Sequence, residues 1–224
     1  MKIAFRTPFS AGKVKSVARA GASGDIGAMA WLDYQRTIIG YHGCDRLVAD
    51  QVLLGRRRLS PSRNDYDWLG GGIYFWEYGP ERALDWAREV SKRSPKHIRQ
   101  PSVLGAIIHS GVCFDLLDVR FTTYLGRLYP KFLAAMVDRG LPVPENEGLP
   151  GRERGLVLRK RDCAVLNWVI PFAEAEQGVR FQTVRCVFQE GKPAFEGSAV
   201  RTKSHVQLAV RDPASILGYF RPQP

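Results

Sequence analysis

Cysteine is scarce in this chain and follows no pattern: Cys44, Cys113, Cys163 and Cys186 stand far apart, without CxxC or Cys/His spacing. That argues against a zinc site and a dense disulfide framework, and predicts reduced, mostly buried thiols with no metal bound. No stretch approaches the ~20 apolar residues needed to cross a bilayer. The basic opening segment, with Lys2, Arg6, Lys13, Lys15 and Arg19, lacks an apolar run long enough for the core of a secretion signal. The expected location is cytoplasmic, with no membrane partner. A P-loop, a GxSxG elbow and an HExxH helix are all missing, and the glycines before Tyr74 precede a strand without GxGxxG spacing. Kinase, hydrolase and Rossmann readings therefore fall away. No period of about 20 to 50 residues repeats, which excludes a solenoid or propeller.

Acidic residues are also in deficit: 22 Asp and Glu stand against 33 Lys and Arg, a net charge of +11. Such a surface concentrates polyanions around itself, so nucleic acid is a plausible partner, although basic composition alone carries no specificity. The 224 residues are 45% hydrophobic and 25% charged, the balance of a folded globular chain. Residues 1–35, rich in Gly, Ala, Ser and Lys, read as a basic extension, and 36–224 as one domain.

Within that domain Thr37 to Gly43 has the β-branched and aromatic content of a strand. A short helix follows in 46–62, broken by Arg56, Arg57, Arg58 and Pro61. Three glycines, Gly70 to Gly72, lead into the aromatic strand Ile73 to Trp76, and Pro80 opens a helix carrying Ala83, Ala87 and Val90 at helical spacing. Strands are expected at 103–109 and 112–117, a helix at 124–139, a loop at 141–155 and a helix or strand at 163–170. Further strands are expected at 180–188, 205–210 and 216–220. The fold class is α+β, dominated by short strands.

Three separated pieces carry the functional reading. They are Tyr41-His42-Gly43 at a strand end, Gly72-Ile73-Tyr74-Phe75 with the Ala83 helix behind it, and the segment from Ser204 to Phe220. In order and spacing they resemble the diphtheria-toxin-like and poly(ADP-ribose) polymerase-like ADP-ribosyltransferases, the H-Y-E branch of that superfamily, over roughly residues 37 to 220. The resemblance implies two small packed, mostly antiparallel sheets with flanking helices around a cleft for NAD+, which serves as co-substrate. It implies that His42 hydrogen-bonds the adenosine ribose, that the Gly43 backbone holds the nicotinamide carboxamide, and that Tyr74 lies against the nicotinamide ring. Tyr41, Gly72 and Ile73 flank these positions in the pocket, Trp86 is the candidate second aromatic, and Arg58 is the candidate phosphate ligand. The residue types suit the work: an imidazole can serve a ribose hydroxyl, a glycine permits close edge-on contact, and a guanidinium fork fits phosphate.

Two departures matter. Gln207 falls where the family has the glutamate that binds the nicotinamide ribose and stabilises the oxocarbenium-like transition state, and Arg82 replaces a small hydroxyl residue before the helix alanine. Glutamine keeps the acceptor and loses the charge, so the resemblance implies mono- rather than poly-ADP-ribosylation. Glu190 or Glu196 could return the charge from the preceding loop. The acceptor is protein or nucleic acid, with RNA or DNA favoured by the charge. The family setting suggests an intracellular toxin, defence or regulatory factor, restrained in some settings by an inhibitory antitoxin. The alternatives are an NAD+ glycohydrolase, an inactive NAD- or nucleic-acid-binding module, and a basic nucleic-acid-binding protein whose motif matches are chance.

Overall fold

The computed structural model describes residues 36–148 and 156–223. The basic extension 1–35 and residues 149–155 of the expected loop at 141–155 lie outside the described residues. Strand β1 (Thr37–Asp45) stops where Asp45 turns its carboxylate back on the chain, accepting the Leu47 N–H at 2.9 Å and so capping α1 (Arg46–Leu53). The other carboxylate oxygen accepts the N–H groups of Arg99 and Gln100 at 2.7 and 3.0 Å, which pins the entry to β3 (Pro101–His109). Between these elements lie β2 (Ile73–Glu77) and α2 (Pro80–Arg93). Proline in its first turn, Glu81 at its N-terminus and Lys92 and Arg93 at its C-terminus all favour α2 where it stands.

The chain continues through β4 (Cys113–Asp115), α3 (Val119–Asp138), β5 (Glu147–Gly148), β6 (Leu156–Leu158) and α4 (Lys160–Gln177). It closes with β7 (Thr183–Phe188), β8 (His205–Val210) and β9 (Ile216–Phe220). Helix α3 begins more than a turn ahead of the expected Tyr124. Asp118 caps it through the Arg120 N–H at 2.9 Å, and Phe121 in the first turn continues the buried stripe of Tyr124, Leu128, Phe132 and Met136. The segment at 163–170 is helical. Cys163, Val165, Leu166, Val169 and Ile170 are all buried, a run too evenly apolar to display either period.

The class is mixed α and β, but the expectation of two small packed sheets needs correction. The described strands form one seven-stranded sheet in the order β4-β7-β8-β2-β1-β3-β9, antiparallel except for the β4–β7 pair, plus the β5–β6 hairpin. The two halves of the large sheet meet at a narrow seam. β1 pairs with β3 continuously from Thr37↔His109 to Asp45↔Pro101, whereas it pairs with β2 only at Gly40↔Glu77 and Tyr41↔Trp76. Even so short a seam pairs backbone groups that two separate sheets would leave as bare edges, which is why the halves remain one sheet.

One face of the sheet is a core built from Ile38, Cys44, Ile73, Phe75, Leu104, Ile108, Leu208 and Val210, closed by Ala49 and Val52 of α1. A second aromatic core brings Phe114 to 4.9 Å from Phe121 and 5.2 Å from Phe181, ring centre to ring centre. A polar ladder stiffens the sheet. Arg185 of β7 reaches across β8 to Glu77 of β2 (Nε to Oε2 2.6 Å, Nη2 to Oε1 3.1 Å) and binds Asp115 of β4 through Nη1 at 3.1 Å.

Candidate active site

The site grows out of the seam. In β1 the odd-numbered residues turn their peptide groups towards β2: the Ile39 carbonyl accepts the Tyr78 N–H at 3.0 Å, while the Arg36 carbonyl, of even number, accepts from Ser110 of the loop after β3 at 2.9 Å. An unbroken antiparallel ladder would next join Gly43 to Tyr74 through both their peptide groups. That pair does not form. The His42 ring enters instead, and its Nδ1–H donates to the Tyr74 carbonyl at 2.8 Å. The Gly43 N–H and C=O are thereby left side by side, aimed into the gap beyond the last β1–β2 pair.

The His42 hydrogen bond also settles the ring's chemistry. A carbonyl only accepts, so Nδ1 carries the proton and the neutral ring presents a bare Nε2 lone pair. Burial lowers the His42 pKa from its ordinary value of 6.5, outweighing the Tyr74 carbonyl, which raises it. His42 therefore serves as a hydrogen-bond acceptor at neutral pH.

Tyr74 stands on the other face of β2 from Ile73 and Phe75 and is locked by its hydroxyl, which donates to the Gly70 carbonyl at 2.7 Å and accepts the Leu69 N–H at 2.8 Å. Gly70 makes this turn at φ 76°, a conformation that favours glycine. Burial raises the Tyr74 pKa well above its ordinary value, with the nearby Asp67 charge adding to it, so the phenol stays protonated. Gln207 lies directly across from Trp76 on β8, on the same face as Tyr74, and is buried. His42, Tyr74 and Gln207 thus occupy three neighbouring strands, β1, β2 and β8, but not one face: His42 has the core-side parity of Ile38 and Cys44, with its ring 5.7 Å from that of Phe75, whereas Tyr74 and Gln207 stand on the other side.

Trp86 is brought in from α2. The space where a Gly43 Cβ would stand is 3.1 Å from Trp86 Cε3 and already taken by the Ala83 carbonyl oxygen, so only glycine lets β1 lie this close to the helix. Other expected pocket residues take different places. Ile73 is a correction: its side chain is fully buried in the core face, opposite Tyr74, because alternation along β2 sends neighbours to opposite sides. Gly72 spends its N–H and C=O on Ser62, at 3.2 and 2.8 Å, which removes them from ligand binding. Tyr41 packs edge-on against Phe220, with ring centres 6.0 Å apart. Arg58 is exposed after α1, and its charge acts on Tyr219 of β9, away from Tyr74. Glu196 is exposed, whereas Glu190 reaches in and pairs with Arg82 of α2.

That last contact opens a group of residues that motif spacing did not single out. His205 shares a face of β8 with Gln207 and has its ring centre 6.2 Å from that of Trp76 and 5.8 Å from that of Phe188. Its Nδ1–H donates to the Lys203 carbonyl at 2.7 Å. The available signal was its position two residues before Gln207, which in a strand means the same side.

Burial lowers the pKa of both His42 and His205, and the Arg82 charge lowers that of His205 further, against the Lys203 carbonyl and Glu190. Below their ordinary value of 6.5 the unfolded chain binds protons that the folded one resists. This contribution to stability is present above that pH and is lost as the pH falls towards the depressed folded values. Thermal unfolding followed between pH 7.5 and 5.5 is expected to show a falling midpoint, with a shallower slope in His42→Asn; an unchanged slope would remove His42 from the account.

No family model matches the chain, and no solved structure matches it. Among curated proteins the chain is similar to an uncharacterized protein of Methanocaldococcus jannaschii, with 26% identity over 153 residues, covering 66% of this chain and 63% of the relative. The chain therefore spans less than two thirds of that relative's length.

Proposed function

We propose that this protein transfers a single ADP-ribose from NAD+ to a macromolecular acceptor, with nucleic acid the favoured class, in an ADP-ribosyltransferase-like cleft at the β1–β2 seam. The observation that carries this reading is the His42 bridge to the Tyr74 carbonyl. One substitution of a side-chain donor for a peptide donor leaves an unpaired N–H and C=O at Gly43 and a bare imidazole lone pair at His42. An N–H beside a C=O is the complement of a primary carboxamide, and the lone pair accepts from a ribose hydroxyl.

Nicotinamide in NAD+ is a cationic leaving group, so the protein's work is to hold and bend the dinucleotide and to place the acceptor behind C1′. Gly43 grips the carboxamide, Tyr74 and Trp86 offer ring faces to the nicotinamide, and His42 fixes a ribose. The Gln207 carbonyl accepts from the nicotinamide ribose without adding a negative charge, which favours one transfer over chain growth. The net charge of +11 favours nucleic acid as acceptor.

Incubation with radiolabelled NAD+ and separate pools of cellular protein, RNA and DNA tests the reading. Label is expected in a nucleic-acid pool. His42→Ala and Gln207→Ala are each expected to lower transfer about 100-fold, the scale on which a misplaced reactant or a lost transition-state contact acts. Nicotinamide release without label would make the protein a glycohydrolase, a reading that Gln207 also permits, and the absence of both would end the enzymatic proposal.

A further inference from the structure

Several arginines of this fold are tied to acids, among them Arg82 to Glu190, Arg185 to Glu77 and Asp115, and Arg211 to Glu174. Around α1 the pattern differs. Arg46, Arg56, Arg57, Arg58 and Arg99 are all exposed, and none of them forms an ion pair among the described residues. They gather at one end of the sheet. Arg46 opens α1 and donates its peptide N–H to the Gln100 carbonyl at 2.8 Å, which sets it beside Arg99. The Arg57 charge acts on Cys44 near the end of β1 and the Arg58 charge on Tyr219 of β9, so the run lies over the strands that α1 covers. The run is also held in place. Gly55 turns the chain out of α1 at φ 68°, the Arg56 and Arg57 N–H groups both donate to the Gln51 carbonyl, at 2.9 and 3.2 Å, and Leu59 behind them is buried in the core.

The acids that contacts place here are two, and both are engaged. Asp45 gives its carboxylate oxygens to peptide N–H groups, and Asp50 pairs with Arg221, just past β9. Counting Arg221, this face carries six arginines against two aspartates, +4, while residues 36–224 as a whole carry 28 basic against 20 acidic residues, +8. Half of the domain's excess charge thus sits on one short helix and its flanks. Between the arginines the outward side of α1 shows Leu47 and Leu54, 62% and 63% exposed, seven residues apart and therefore on one face. The partner has to answer both features. A small anion engages one or two guanidinium groups and leaves the leucines in water. A duplex offers phosphates but turns its bases inwards, whereas a single strand brings phosphates for the arginines and open base faces for the leucines.

We propose that the outward face of α1, with its ring of unpaired arginines around Leu47 and Leu54, is a docking surface for a single strand of nucleic acid. Each guanidinium takes a phosphate and the two leucines lie under bases. Cys44 shares a face of β1 with His42, two residues back, so the surface runs towards the His42 side of the seam. The binding claim stands on these residues alone; that the bound strand is the acceptor rests on the transfer proposed above.

Fluorescence anisotropy of labelled oligo(U) and oligo(dT), each about 15 nucleotides long, is measured with the full chain over a range of salt concentrations. A plot of log K against log salt is expected to slope at about −3.5, some 0.7 for each phosphate neutralised on a single strand. The triple variant Arg56→Gln, Arg57→Gln, Arg58→Gln keeps the peptide N–H groups that anchor the run. It is expected to reduce the slope by about 2 and to weaken binding at least about tenfold, with near-native thermal unfolding. Arg127→Gln, Arg180→Gln and Lys192→Gln together remove the same charge from exposed positions on α3 and on either side of β7, and are expected to leave the slope as it was. Leu47→Ser with Leu54→Ser is expected to bring single-strand affinity down to that for a duplex of the same length. No binding, equal weakening by both charge variants, or a duplex bound as tightly as the single strand would overturn the surface. Poly-L-glutamate competing as well as unlabelled strand, charge for charge, would make it a site for an acidic protein and overturn it too. So would loss of NAD+ binding with strand binding kept in the Arg56 to Arg58 variant, which would assign the run to the dinucleotide's phosphates. His42→Ala separates the two proposals. It is expected to lose NAD+ binding and keep strand affinity; strand binding in a protein that turns over no NAD+ would leave the surface and end the transferase, and turnover without strand binding would do the reverse.

Discussion

Arg185→Leu is expected to destabilise the fold by about 3–5 kcal/mol, the scale of breaking a buried ion pair by removing one partner. Arg185 is the cation between two carboxylates: the Arg185, Glu77 and Asp115 side chains are 12%, 15% and 5% exposed. Its removal takes this cation from Glu77 and leaves Asp115 with Arg36 at 3.9 Å, both acids in a low-dielectric setting, while Leu replaces only its apolar bulk. Denaturant unfolding is the measurement, with a lower midpoint and an unchanged slope expected. Adding Glu77→Gln and Asp115→Asn to the variant is expected to recover part of the loss, because the penalty lies mainly in the uncompensated charges. A loss below about 1 kcal/mol would mean that water reaches the ladder and screens it as it screens surface pairs.

Gly43→Ala is expected to act on stability and on ligand binding together. The added Cβ would overlap the Ala83 carbonyl oxygen, a backbone atom that cannot turn aside, so β1 and α2 must separate. Overpacking of this kind costs about 1–3 kcal/mol. The same movement shifts the Gly43 peptide edge and Trp86, so calorimetry is expected to show NAD+ binding weakened at least about tenfold, as expected when well-placed hydrogen bonds are lost. Gly126→Ala supplies the contrast. Gly126 is exposed within α3 with open space around its Cα, and alanine there is expected to stabilise by about 0.5–1 kcal/mol through helix propensity. Unchanged NAD+ binding in a stable Gly43→Ala would dismiss the carboxamide role.

Much of the fold was legible before any coordinate. Thr37 to Ile39, with β-branched side chains, and Ile73 to Trp76 announced strands, and Pro80 with Glu81 announced the start of α2. These signals are local: they depend on which φ and ψ values a side chain tolerates and on which peptide groups its neighbours can satisfy. Asp118 and Asp45 cap helices for the same reason.

What the sequence by itself determined was the order of the elements, the alternation along each strand and the separate pieces around His42, Tyr74 and Gln207. Only the tertiary structure decided which way each alternation faced, so that Ile73 went to the core while Tyr74 went to the opposite face. It also decided that β1 and β2 stay joined by two residue pairs before His42 replaces the third, and that Glu190 meets Arg82 beside His205. A period of two is the same read from either side of a sheet, and a long-range ion pair depends on strand order. Local propensity and spacing carry neither, because the energy that chooses them comes from burying whole faces against one another.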